Sequence, residues 1–135
     1  MAKLFPDSMV SKSSSEMTLE GIASKLGYFR EQLELLHWQT TSEPEHRAIG
    51  SLYEYIDGFK DDVIEKLMGY TGMRPKAYKR EPLVLTNSGE VVQAVGDFAY
   101  ELYEWAGESH YCDVENMAQE LSGKAAKTKY LLTLS

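Results

Sequence analysis

The sequence predicts an all-α fold: one four-helix bundle with a long connection between its second and third helices. Two observations carry this. Apolar residues recur at alternating steps of three and four along four separate stretches, the spacing that gives a helix one buried face. Each stretch is bounded by residues that start or stop helices, and no alternating strand pattern separated by turns occurs.

The first helix is expected from about Met17 to about Thr41, with the stripe Leu19, Ile22, Leu26, Phe29, Leu33 and Leu36. Ser42 and Glu45 form a capping box and Pro44 suits a first turn, so a second helix begins near Glu43. Its stripe is Ile49, Leu52, Ile56, Phe59, Val63 and Leu67, closed by Gly69 and Gly72. Residues 72–86 form a connection holding Pro75, Pro82 and the cations Arg74, Lys76, Lys79 and Arg80. Asn87 and Glu90 mark the start of a third helix with Val91, Val95, Phe98, Leu102 and Trp105, ended by Gly107. Asp113 is read as the N-cap of a fourth, with Val114, Met117, Leu121, Ala125 and Leu132. Two hairpins joined by one long crossover make the ferritin-like arrangement. About 15 extended residues reach roughly 50 Å, enough to run the length of a bundle.

Residues 1–15 read as a flexible arm with Ser13, Ser14 and Ser15, and residues 16–135 as the bundle. At 135 residues, with 43% hydrophobic and 26% charged residues, the chain suits one domain with its own core. A net charge of -7 disfavours general binding to nucleic acid, whose phosphates repel it. The single cysteine, Cys112, leaves no internal disulfide and no cysteine-based zinc site, and is expected to serve packing. Neither a signal peptide nor an apolar run of membrane-spanning length is found, so a cytoplasmic location is expected.

The chain holds three histidines, and two of them, His37 and His46, flank the turn between the first two helices. A packed or capping role is the ordinary expectation for such residues. Helix two adds Glu54, Asp57, Asp61 and Glu65, which helical angles place well away from its core stripe. A solvated face explains charges there, yet Tyr53, Ile64 and Met68 share or border it, as in a subunit interface. Asp61 and Glu65 are four apart and can share a cation, and imidazole with carboxylate suits iron, manganese or zinc. His46 and Asp61 lie about 22 Å apart along one helix, so they cannot hold one ion within one chain. A second copy with its helix two antiparallel to the first would bring the two halves together twice.

The stretches LHWQT at 36–40 and EHRAIGSLYEYIDGFKDDVIEKLMG at 45–69 resemble the first helix hairpin of the Dps proteins, the mini-ferritins of the ferritin-like superfamily. Residues 113–134 resemble that family's last helix, and the chain is most similar in kind to small phage-encoded ferritin-like proteins, which would put it in the host cytoplasm. The resemblance implies an intersubunit ferroxidase centre that oxidises Fe(II) for iron sequestration and oxidative protection. His37 and His46 of one subunit would bind iron with Asp61 and Glu65 of its neighbour. It implies a homo-oligomer, at least a dimer and at most a cage. Trp38 would intercept oxidising equivalents, although core packing is its ordinary role. Three departures accompany the likeness. Gly50 stands where the family carries an acidic ligand, the hairpin is shorter by about a turn, and the crossover has little room for the family's extra helix. The alternative is a catalytically inactive ferritin-like scaffold acting as a protein-interaction module. Nucleic acid is not expected as a partner; compaction of it would have to use the basic stretch 74–80.

Overall fold

The structure is a computed structural model that describes residues 17–84 and 86–135. The arm expected at 1–15 lies outside the described residues. Four helices account for most of the rest: α1 (Leu19–Gln39), α2 (Glu43–Thr71), α3 (Ser88–Glu108) and α4 (Cys112–Leu132). No strand occurs among the described residues.

Local chemistry sets the boundaries. Thr18 caps α1 by accepting from the Gly21 N–H, and Ser42 caps α2 by accepting from the Glu45 N–H with Pro44 in the first turn. Asn87 caps α3 by accepting from the Glu90 N–H. Helix α2 runs on through Gly69 and stops at Gly72, whose φ of 72° is the left-handed conformation a glycine adopts without steric cost.

The start of α4 differs from expectation. Tyr111, not Asp113, is the N-cap residue, and its side chain makes no cap. Asp113 lies inside the helix, where its backbone N–H donates to the Tyr70 hydroxyl of α2 at 3.0 Å. His110, with φ 63°, makes the tight turn that brings α4 back along α3.

The predicted stripes of α1 and α2 are all buried. Val91, Val95, Phe98 and Leu102 of α3 join them, with Val114, Met117, Leu121 and Ala125 of α4, while Trp105 and Leu132 are only partly buried. Phe29 meets Phe98 edge to face at 5.9 Å between centroids, an orientation favoured by the ring quadrupoles. No buried side-chain nitrogen or oxygen among the described residues lacks a hydrogen-bond partner. Two packing expectations fail. Trp38 is 67% exposed, because it follows His37 off the core stripe at the end of α1. Cys112 is also exposed, at the start of α4.

Each helix packs against two others: α1 on α2 and α3, and α4 on α2 and α3. The start of α3 touches the start of α2, since the Ser88 hydroxyl donates to the Glu45 carboxylate at 2.5 Å. The start of α4 touches the end of α2 through Tyr70. Helices α1 and α4 therefore run one way and α2 and α3 the other, so every packed pair is antiparallel. The chain between α2 and α3 must climb the full bundle, and it does so over α1. The Lys76 N–H donates to the Glu20 carboxylate at 2.6 Å near the start of α1. Arg80 pairs with Glu31 at 2.5 Å. Farther along, the Val84 N–H donates to the Tyr28 hydroxyl at 3.2 Å, and the Gln32 side-chain amide donates to the Val84 carbonyl at 3.4 Å.

Candidate functional site at the first hairpin

His37 sits in the last turn of α1 and His46 in the first turns of α2, with only residues 40–42 between the helices. This short connection forces the two rings together. They stack with centroids 3.8 Å apart and planes 15° apart. Nδ1 of His46 lies 2.7 Å from the His37 carbonyl oxygen, and Nδ1 of His37 lies 2.8 Å from the His46 carbonyl oxygen. A carbonyl only accepts, so both rings carry their proton on Nδ1 and donate it. The His37 carbonyl belongs to the last turn of α1, where carbonyls lack a partner within the helix. The two histidines thus form a reciprocal clamp across the hairpin. In the neutral rings this leaves both Nε2 atoms as acceptors, and neither has a donor among the described residues.

The His37 ring lies against α2. An ideal Cβ on Gly50 would fall 2.6 Å from its Cε1 and 2.8 Å from its Nδ1. Any larger residue at 50 would therefore collide with the ring. Tyr53 lies 5.7 Å from the same ring, and the Arg30 guanidinium stands over the Tyr53 ring at 5.4 Å. Arg30 also donates to Asp57 at 2.7 Å, and Asp57 chiefly holds the guanidinium pKa above its ordinary value.

Behind the clamp, Glu45 ties three segments together. It accepts from Thr40 of the turn at 2.7 Å and from Ser88 at the head of α3, and its own N–H is capped by Ser42. The Ser88 and then the Thr40 hydroxyl hold its carboxyl below the usual carboxylate range. Sequence reasoning read Glu45 only as half of a capping box. Its role toward α3 arises from tertiary packing and leaves no local signal.

Of the four candidate ligands, the structure brings His37 and His46 together and leaves Asp61 and Glu65 elsewhere on the same molecule. Both acids are exposed on the outer face of α2, as the helical angles predict, and neither makes an ion pair or hydrogen bond to a described residue. Among the described residues, no three metal-ligating side chains come together in one chain. Two imidazoles do not make an iron site by themselves, and the carboxylate near His46, that of Glu43, is paired chiefly with Arg47. The missing carboxylate at position 50 also follows from the geometry, since the ring of His37 occupies the space its Cβ would need.

The fold and this hairpin define an all-α four-helix bundle with a histidine-clamped first turn. A family model matches residues 37–132, from the first clamp histidine to the last residue of α4, and the chain belongs to that family, described as a family of unknown function (DUF5856). No curated protein and no solved structure matches the chain.

Proposed function

We propose that the chain is a catalytically inactive ferritin-like scaffold that works by binding other protein surfaces. The wiring supports the ferritin-like part of this reading, because α2 and α3 run in the same direction and are joined by a connection that climbs α1. One observation carries the rest: the two histidines are engaged in clamping the hairpin, and His37 fills the place of an acidic ligand over Gly50. The two histidines are here explained by the integrity of the hairpin. Iron titration of metal-free protein tests it. The expected result is no stoichiometric Fe(II) uptake and no oxidation faster than in protein-free buffer. Tight uptake that both His46→Ala and Asp61→Ala remove would overturn it.

A second reading has its own support. Both clamp histidines leave Nε2 open while Nδ1 is held by a carbonyl, the way a metal-binding histidine is usually oriented. Asp61 and Glu65 carry charge that no described residue neutralises. In this reading a neighbouring copy brings its Asp61 and Glu65 to His37 and His46, and Fe(II) is the substrate oxidised there, its electrons passing to dioxygen or hydrogen peroxide. The same titration separates the two readings.

A further inference from the structure

We propose that the scaffold's partner is a second copy of this chain, held by ion pairs between the outer face of α2 and the strap formed by residues 72–84. This rests on the scaffold reading and names its partner.

Two surfaces carry the argument. On α2, Asp61 and Glu65 are exposed and make no pair with a described residue. On the strap, Arg74, Lys76 and Lys79 are exposed, and none forms a side-chain ion pair with a described residue. The strap sets four cations, Arg74, Lys76, Lys79 and Arg80, against one exposed acid, Glu81, so its excess charge is opposite in sign to that of the Asp61–Glu65 stripe.

Their heights agree. Arg30 pairs with Asp57, and Lys60 Nζ comes within 3.6 Å of the Cβ position of Gly27. This antiparallel register sets Asp61 level with Leu26 and Glu65 level with Ile22. The strap passes the same levels, since the Lys76 N–H is held by Glu20 and Arg80 Nη1 lies 2.8 Å from the Cβ position of Gly27. The acids and the cations thus occupy one band around the bundle, on neighbouring helices. A two-fold axis parallel to the helices lays the α2 stripe of each copy over the strap of the other at matching height, giving two identical patches. An axis across the helices would set α2 against α2 with heights inverted, the arrangement of the metal reading, and would leave the strap cations unmatched. Exposed ion pairs alone hold little. Tyr78 on the strap is 42% exposed, and Ile64 and Met68 beside the stripe are only partly buried, so each patch also has apolar surface to cover.

The test is sedimentation equilibrium of the full chain with chelator present, so that no metal-held association contributes. The wild type is expected to dimerise in low salt, with its dissociation constant raised about tenfold or more in about 0.5 M salt, where screening is short-ranged. Asp61→Lys with Glu65→Lys, and separately Lys76→Glu with Lys79→Glu, are each expected to be monomeric with unchanged helical circular dichroism. Mixing the two variants in equal amounts should restore the dimer, because both patches regain opposite charges. A wild type that stays monomeric in low salt overturns the proposal, as does a dimer that survives either charge reversal or a mixture that fails to associate. The iron titration reads the scaffold assignment separately, so the two can fail independently.

Discussion

His37 and Gly50 exclude each other's alternatives: the imidazole rests where residue 50 would place a Cβ, with Cε1 only 2.6 Å from that point. The same edge of the ring is held by the bond from Nδ1 to the His46 carbonyl, so it cannot turn away without breaking the clamp.

This relationship sets the sign of two substitutions that helix propensity alone would score alike. Glycine inside a helix normally costs about 0.5–1 kcal/mol relative to alanine. Gly58, with nothing within 4 Å of its Cβ position, should follow that rule, and Gly58→Ala should raise the unfolding free energy by about that amount. Gly50→Ala should instead lower it by about 1–3 kcal/mol, the usual penalty for forcing atoms into filled space. Urea unfolding of the two variants checks this, and a stabilised Gly50→Ala would show that the ring moves freely. Gly27 is an intermediate case. Its close neighbour is the far end of the flexible Arg80 side chain, so Gly27→Ala should be close to neutral.

The clamp predicts coupling between the histidines. His46→Ala removes the donor to the His37 carbonyl and the stacking surface of the His37 ring. The single substitutions should each cost about 0.5–1.5 kcal/mol, the net worth of one such hydrogen bond. Because the second change finds the clamp already broken, the double variant should cost less than the two singles together by about 0.5 kcal/mol or more. A double-mutant cycle by thermal or chemical unfolding measures this. Strict additivity would mean that the rings act separately.

The bundle itself was legible in the sequence because each helix buries one regular stripe and two of the caps, Ser42 and Asn87, are local signals. Helical angles also placed Asp61 and Glu65 on the outer face of α2. Contacts made across the chain were not legible. Nothing near Asp113 announces that a tyrosine 43 positions earlier receives its N–H, so the cap was assigned to the aspartate itself. Trp38 and Cys112 were expected to pack because such residues usually do, yet both fall at helix ends outside any stripe. The histidine pair was visible as a pair. Its reciprocal bonds to backbone carbonyls depend on the three-residue turn closing tightly, which spacing alone leaves open.

Glu45 should make stability depend on acidity. Its folded pKa is lowered, chiefly by the Ser88 hydroxyl and then by Thr40, so the unfolded chain takes up its proton at a higher pH than the folded one. Its contribution is therefore complete above the unfolded value near 4.5 and is lost as pH falls through the folded value. Glu45→Gln removes the charge and should flatten the pH dependence of the unfolding free energy between about pH 5 and pH 3 relative to wild type. Glu20 and Glu43 are shifted in the same direction, so a residual slope should survive the substitution. Urea titrations at stepped pH give the comparison, and an unchanged slope would remove Glu45 from the account.

The start of α4 offers a final test, because its capping comes from another helix. The first N–H groups of a helix have no partner within it. Tyr111, the N-cap residue, supplies no side-chain acceptor, and the Tyr70 hydroxyl takes the Asp113 N–H instead. Lys66 of α2 also pairs with Asp113, and Asp113 chiefly raises the lysine pKa above its ordinary value, so two residues of α2 grip the same turn. Tyr70→Phe keeps the ring, which lies 4.8 Å from that of Tyr111, and deletes only the acceptor. It should cost about 0.5–1.5 kcal/mol, as for one lost hydrogen bond. Tyr111→Phe removes a hydroxyl that bonds to no described residue, and should change stability by much less. Hydrogen exchange should localise the difference, with faster exchange at the Asp113 amide in Tyr70→Phe and wild-type exchange there in Tyr111→Phe. Equal protection of that amide in wild type and Tyr70→Phe would mean that water caps the helix as well as the tyrosine does.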